Sequence, residues 1–194
     1  MPEHVADPSG RLARLAPLFA ALLVGMASCG DDPFAFEWDD APDTVQLYAL
    51  GRSEFNLPSG FNFYEDQTVR VEDPGATGSW DVAVDTLGGN LVFLPPGALG
   101  ITARARIATL PGIRFDDLRE APEDTAVYEA DLPAIVDGST VYVVSTNRRV
   151  GSFGSSCIYY AKVEPLTFDV LEGVLTFRYV SSPLCNNREF VSPD

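Results

Sequence analysis

From about residue 45 onward, short runs of alternating apolar and polar residues are separated by Gly, Pro, Asn and Asp clusters. This period-two pattern excludes long amphipathic helices and predicts an all-β domain of antiparallel sheets. The expected strands are Val45 to Leu50, Phe61 to Tyr64, Thr68 to Glu72, Trp80 to Asp85, Leu91 to Leu94, Thr140 to Thr146, Cys157 to Val163, Leu166 to Leu171 and Val174 to Val180. In the fourth, Trp80, Val82 and Val84 share one face and Asp81 and Asp85 the other, and Leu87-Gly88-Gly89-Asn90 supplies the turn that follows. Val141-Tyr142-Val143-Val144 is apolar on both faces, which places it centrally in a sheet. Between 97 and 131 the pattern is ambiguous: Ile101 to Leu110 suits a strand or a helix, and Phe115 to Glu120 suits one helical turn.

The last two strands carry enough pattern for a register. If Glu172-Gly173 is a two-residue turn, Phe168 faces Phe177, Leu166 faces Tyr179 and Val170 faces Leu175, all on one apolar face. The apolar parity changes at Val163, so a bulge or bend is expected at Glu164-Pro165. Extended upward, the same hairpin brings Cys157 and Cys185 near each other. A disulfide between them is the default in an exported chain and stabilises by about 3.5 kcal/mol through loop closure. A redox-active pair is the alternative, without the Cys-x-x-Cys spacing that supports one.

Export is itself read from the first thirty residues. Arg11 and Arg14 precede an apolar run from Leu15 to Met26 that is too short to span a bilayer and ends in Ala27-Ser28-Cys29. Met26-Ala27-Ser28-Cys29 resembles the lipobox of bacterial lipoproteins, with Met26 in place of the usual Leu. The resemblance implies cleavage before Cys29 and acylation of its thiol. Multiple acyl chains, each CH₂ worth ~0.8 kcal/mol when buried, would anchor the protein durably to a membrane. Cys29-Gly30-Asp31-Asp32 also resembles the acidic signal that directs some lipoproteins to the outer cell surface. The expected organisation is a signal peptide with a helical core at 1–28, an acidic tether at 29–43 and a single β domain at 44–194.

Of 194 residues, 13 are basic and 28 acidic, for a net charge of −15. Removing 1–28 takes Glu3 and Asp7 together with Arg11 and Arg14, so the net charge is unchanged. That charge disfavours nucleic acid as a partner, because phosphates would meet no basic stripe. The same cut removes His4, Met1 and Met26, the only histidine and the only methionines. Ser/His/Asp and Cys/His catalysis, histidine-bound zinc and His- or Met-ligated haem are thereby excluded for the mature chain. A carboxylate pair on one strand face fares no better: Asp81 and Asp85 would lie roughly 13 Å apart, against ~5–9.5 Å in glycosidases. Asp116-Asp117 and Asp39-Asp40 read as solvated loop charges. The expectation is a protein that is not an enzyme. The loop Ser145 to Ser156, with Arg148 and Arg149, holds the densest positive charge. A solvated hairpin loop is the expected reading, and a phosphate or carboxylate site is the functional alternative.

Five segments in order, Phe61-Asn62-Phe63, Trp80 to Val84, Val141 to Val144, Tyr160-Ala161-Lys162-Val163 and Gly173 to Tyr179, resemble the HmuY-like family of exported, lipid-anchored, β-rich lipoproteins whose founding members bind haem. The resemblance implies a single HmuY-like β domain presenting loops around a ligand, in the outer membrane or on the cell surface of a bacterium. The family's paired His or Met haem ligands are absent. Haem therefore stays a candidate cofactor only through tyrosinate, from Tyr48, Tyr64, Tyr128, Tyr142, Tyr159, Tyr160 or Tyr179, or less plausibly through Lys162. No cofactor follows from the residues alone. The expected partners are the membrane, through the lipid on Cys29, and a small hydrophobic ligand or a surface protein. A non-catalytic interaction or scaffold module with haem binding lost is the alternative function.

Overall fold

The computed structural model describes Trp38 and residues 41–54, 56–151 and 154–192. The signal segment, Cys29 and nearly all of the acidic tether lie outside the described residues. Among the described residues thirteen strands form, eleven of them in two main antiparallel sheets. They are β1 (Asp43–Tyr48), β2 (Gly60–Asn62), β3 (Gln67–Val69), β4 (Val82–Leu87), β5 (Asn90–Leu94), β6 (Arg106–Pro111), β7 (Tyr128–Glu129), β8 (Ala134–Ile135), β9 (Thr140–Ser145), β10 (Arg149–Val150), β11 (Ser156–Cys157), β12 (Tyr160–Asp169) and β13 (Val174–Ser181). One sheet has the order β1-β13-β12-β9-β6-β7 and the other β3-β2-β4-β5-β8, while β10 and β11 form a small ribbon. The protein is all-β, and the helical content among the described residues is short 3-10 turns such as Pro96–Leu99 and Phe115–Asp117.

The period-two pattern packs the two sheets face to face. Val82, Val84, Leu91 and Phe93 of one sheet and Ile107, Tyr142, Val144, Val163, Leu175 and Phe177 of the other share one buried cluster. Phe177 meets Phe93 and Phe61 edge-on, at 5.8 and 6.1 Å between ring centroids. At one corner β1 leaves its sheet: the amide of Leu50 donates to the Val84 carbonyl at 3.0 Å. Each sheet also has a covered outer face. On one, Ala108, Val141, Val143 and Val180 pack under Phe115 and Phe190. On the other, Ala83, Val92 and Leu94 pack with Trp80 and Ala76. Burial on both faces explains why every residue of β9 is buried, as its unbroken apolar run predicts.

The Gly88–Gly89 turn forms as expected, with φ of +59° and +81° at its two residues and Leu87 paired with Asn90. Four expectations are corrected. Trp80 does not share a face with Val82 and Val84: β4 begins at Val82, and Trp80 belongs to the outer cluster with Ala83. Asp81, set by alternation on a polar face with Asp85, is 1 % exposed, for reasons given below. The two strands expected at 157–163 and 166–171 are largely one, β12, continuous through a bulge that leaves Leu166, rather than Glu164-Pro165, as the extra residue.

The fourth correction is the register of the last hairpin. Its closing pair is Asp169 with Val174, so Phe168 faces Leu175 and Thr167 faces Thr176. Asp169 Oδ1 accepts from the amides of Leu171 and Glu172 at 2.8 and 2.9 Å, and this carboxylate cap favours a wider loop over the two-residue turn. A slip of two positions conserves the faces of β13, so Leu175, Phe177 and Tyr179 still reach the core. Phe168 and Leu166 do not, being 44 % and 45 % exposed.

Above the bulge the register carries directly into the disulfide between Cys157 and Cys185, whose Cα atoms are 5.0 Å apart. The strap is reinforced by Asn186, which accepts from the Ile158 amide at 2.9 Å and donates to the Ser156 carbonyl at 3.1 Å.

Candidate functional site

The ambiguous region resolves into the element that builds the site. Residues 106–111 form β6, against β9, and the segment before it carries Arg104. Arg106 faces Ser145 across one strand gap, and Ser145 faces Tyr160 across the next, so the register itself lines up an arginine, a serine and a tyrosine on the outer face of the sheet. With Arg104, Arg148 and Tyr128 they line a recess of about 300 Å³. Tyr128, paired on β7 with Ala108, is buried and donates its hydroxyl to the Pro122 carbonyl at 3.1 Å. Its ring meets Tyr160 at 6.3 Å between centroids. Burial, with Tyr160 beside it, holds the Tyr128 phenol well above its ordinary value, so it stays neutral.

Five of the ten described arginines have no described carboxylate within 4.0 Å, namely Arg104, Arg106, Arg119, Arg148 and Arg149, and three of them line the recess. Arg52, Arg70, Arg114, Arg178 and Arg188 each lie within 4.0 Å of a carboxylate. Among the described residues none of Arg104, Arg106 or Arg148 does, and no carboxylate lines the recess. Three uncommitted guanidiniums in a chain of net charge −15 form a localised positive field suited to an oxyanion.

A buried polar staple sets these arginines in place. Asp81 accepts from the amide of Asn147 at 2.8 Å and from that of Phe63 at 3.0 Å. Asn147 in turn donates Nδ2 to the Trp80 carbonyl at 2.8 Å, and its Oδ1 accepts from the amides of Arg104 and Ala105 at 2.9 and 3.1 Å. The staple joins the two sheets and fixes the backbone at Arg104 and immediately before Arg148. Desolvation raises the Asp81 carboxyl to about 6, against the lowering effect of the Asn147 and Phe63 amides and of nearby Arg149.

Arg148 and Arg149 therefore diverge. Arg149 lies on the other side, its guanidinium 5.8 Å from the ring of Tyr64, which is stacked on Tyr159 at 4.6 Å. The expected solvated loop thus contains one arginine that joins the recess and one that does not. Arg104 and Arg106, the other two of the set, were not singled out in the sequence. Their signal was the alternation Arg104-Ala105-Arg106-Ile107, in which both arginines share a face if the segment is extended.

Most of the tyrosines named as candidate haem ligands have contacts within the protein. Tyr142 donates to the Ile135 carbonyl at 2.5 Å and accepts from the Asp137 amide at 2.9 Å, and burial pushes its phenol up to about 12. Tyr179 donates to Asp66, and burial together with that carboxylate raises it further. Tyr64 and Tyr159 cover each other, and Tyr48 lies under Arg52. Lys162 is consumed structurally: its Nζ donates to the carbonyls of Phe115 and Leu118 at 2.9 and 3.0 Å and sits 4.4 Å from the Phe115 ring centroid. Tyr160 opens on the recess, which it shares with Arg104, Arg106 and Arg148. A larger hollow of about 630 Å³ beside β3 holds no tyrosine, and its arginine, Arg70, is tied to Asp73 at 2.6 Å.

Compared with protein-family models, characterised proteins and solved structures, the chain matches none. The site's chemistry is therefore read from its own geometry.

Proposed function

We propose that this chain is an exported, lipid-anchored β module that acts by binding a small anionic ligand rather than by catalysis. The observation that carries the reading is the convergence of Arg104, Arg106 and Arg148, none paired with a described carboxylate, on one tyrosine-walled recess of an acidic protein. Uncompensated cations held together by fixed backbone repel one another, and an oxyanion relieves that repulsion while using the guanidinium donors. The lipobox-like Met26-Ala27-Ser28-Cys29 supports attachment to a membrane through Cys29, with residues 29–43 as the tether. The segments that resemble the HmuY-like family fall largely on β2, β4, β9, β12 and β13, in keeping with a β scaffold that presents a ligand site between its connections. This reading needs no haem.

Two measurements test it. Fatty-acid labelling should mark the wild type and spare Cys29→Ala; equal labelling would remove the anchor. Calorimetric titration of inorganic phosphate into the full chain should give saturable binding that Arg106→Gln weakens. Absence of any saturable anion binding would shift the assignment to a surface interaction module.

A further inference from the structure

The recess is more specific than a general anion site, because its three guanidiniums approach from different backbone positions. Arg106 is fixed by its pairing opposite Ser145. Arg104 stands two residues earlier, roughly 6–7 Å along an extended chain, and its amide is held by Asn147. Arg148 enters from the far end of β9, directly after Asn147. A single carboxylate gives one bidentate guanidinium about two of its four lone-pair sites and sets one negative charge against three positive ones. A ligand with two or more oxyanion groups satisfies the set.

The opposite wall is of a different kind. Tyr128 has its hydroxyl turned to Pro122, so it offers the recess its ring rather than a donor, and the Tyr160 ring meets it edge-on, with Ile158 also lining the recess. A flat apolar ring packs against such a pair edge-on to one ring and offset on the other. A volume of about 300 Å³ lies at the small end of ligand pockets, ~300–1,000 Å³, and suits one substituted ring.

We infer that the recess takes a small organic molecule carrying at least two oxyanion groups on a single flat apolar ring, its anionic groups on Arg104, Arg106 and Arg148 and its ring against Tyr128 and Tyr160. The inference rests on the anion-binding reading above.

Calorimetry on the full chain in detergent, in phosphate-free buffer, separates the two. The probes are benzene-1,3-dicarboxylate, benzoate, butanedioate and inorganic phosphate. The dicarboxylate should bind about tenfold or more tighter than benzoate, which lacks the second charge, and than butanedioate, which lacks the ring. Arg104→Gln, Arg106→Gln and Arg148→Gln should each cost about tenfold in dicarboxylate affinity. The exposed Arg119→Gln, outside the recess, should cost nothing, and near-ultraviolet circular dichroism should show every variant folded. Equal binding of benzoate and dicarboxylate overturns the multivalent assignment, and equal binding of butanedioate overturns the ring. Binding of phosphate but of no organic probe overturns this inference and leaves the broader reading intact. Binding of none overturns both.

Discussion

Asn147 and Arg148 are neighbours in the chain and opposites in use. Asn147 is buried, and its backbone amide and both side-chain polar atoms are bonded to Asp81, Trp80, Arg104 and Ala105. Arg148 is exposed and lines a recess in which three guanidiniums have no described carboxylate partner. Buried polar groups must find partners inside the protein, because leaving them unpaired costs their full desolvation. A group at the rim of a recess is under no such constraint, and donors left uncommitted there are available to a ligand. The contrast separates residues that hold the site from residues that use it. Loss of stability should follow the first kind of substitution, and loss of affinity alone the second.

Asn147→Ala should give the largest effect. It strands the amides of Arg104 and Ala105 and the carbonyl of Trp80, at about 4 kcal/mol in chemical denaturation, and it weakens anion binding because Arg104 and Arg148 lose their common anchor. A change under about 1 kcal/mol would mean that water replaces the staple, and the contrast would fail.

Next is the Cys157→Ser, Cys185→Ser double variant, expected to lose about 3.5 kcal/mol in the same assay. The strap it releases carries Ile158 at the recess wall, so the loss of stability should come with a smaller loss of affinity.

Asp81 tests the cost of a buried charge. Its folded-state value, about 6, lies above the ordinary carboxylate value, so the folded protein binds the proton more tightly than the unfolded one. Stability from this group is therefore greatest below about pH 4 and falls as pH rises through 6, by about 3 kcal/mol in all. Wild-type stability measured between pH 4 and 7 should carry this downward slope with rising pH, and Asp81→Asn should flatten it while lowering stability throughout. An unchanged slope would place the titration elsewhere.

The smallest stability effect belongs to Arg106→Gln, within about 0.5 kcal/mol of wild type, although anion affinity drops. Loss of both together would show that this arginine also holds the fold.

The sequence determined the class of fold because alternation is a local property: each apolar run between turn residues has one way to bury its face, and β4, β5, β9 and β13 form largely where their patterns place them. It determined the Cys157–Cys185 bridge for a related reason, since antiparallel pairing carries a register outward from a turn and tolerates a slip of two. It did not determine that slip, because the competition between a two-residue turn and the Asp169 cap is decided by the carboxylate's orientation in the folded loop. Nor did it determine the fate of Asp81, which alternation set on a polar face with Asp85; only the arrival of Phe63 and Asn147 from segments 18 and 66 residues away made burial affordable. The recess is the clearest case of tertiary control. Arg104, Arg106, Tyr128, Ser145, Arg148 and Tyr160 come from β6, β7, β9, β12 and the segments beside them. They become one site through the pairing of strands that are not consecutive in the chain, and strand order across a sheet depends on global packing that no single run of residues encodes.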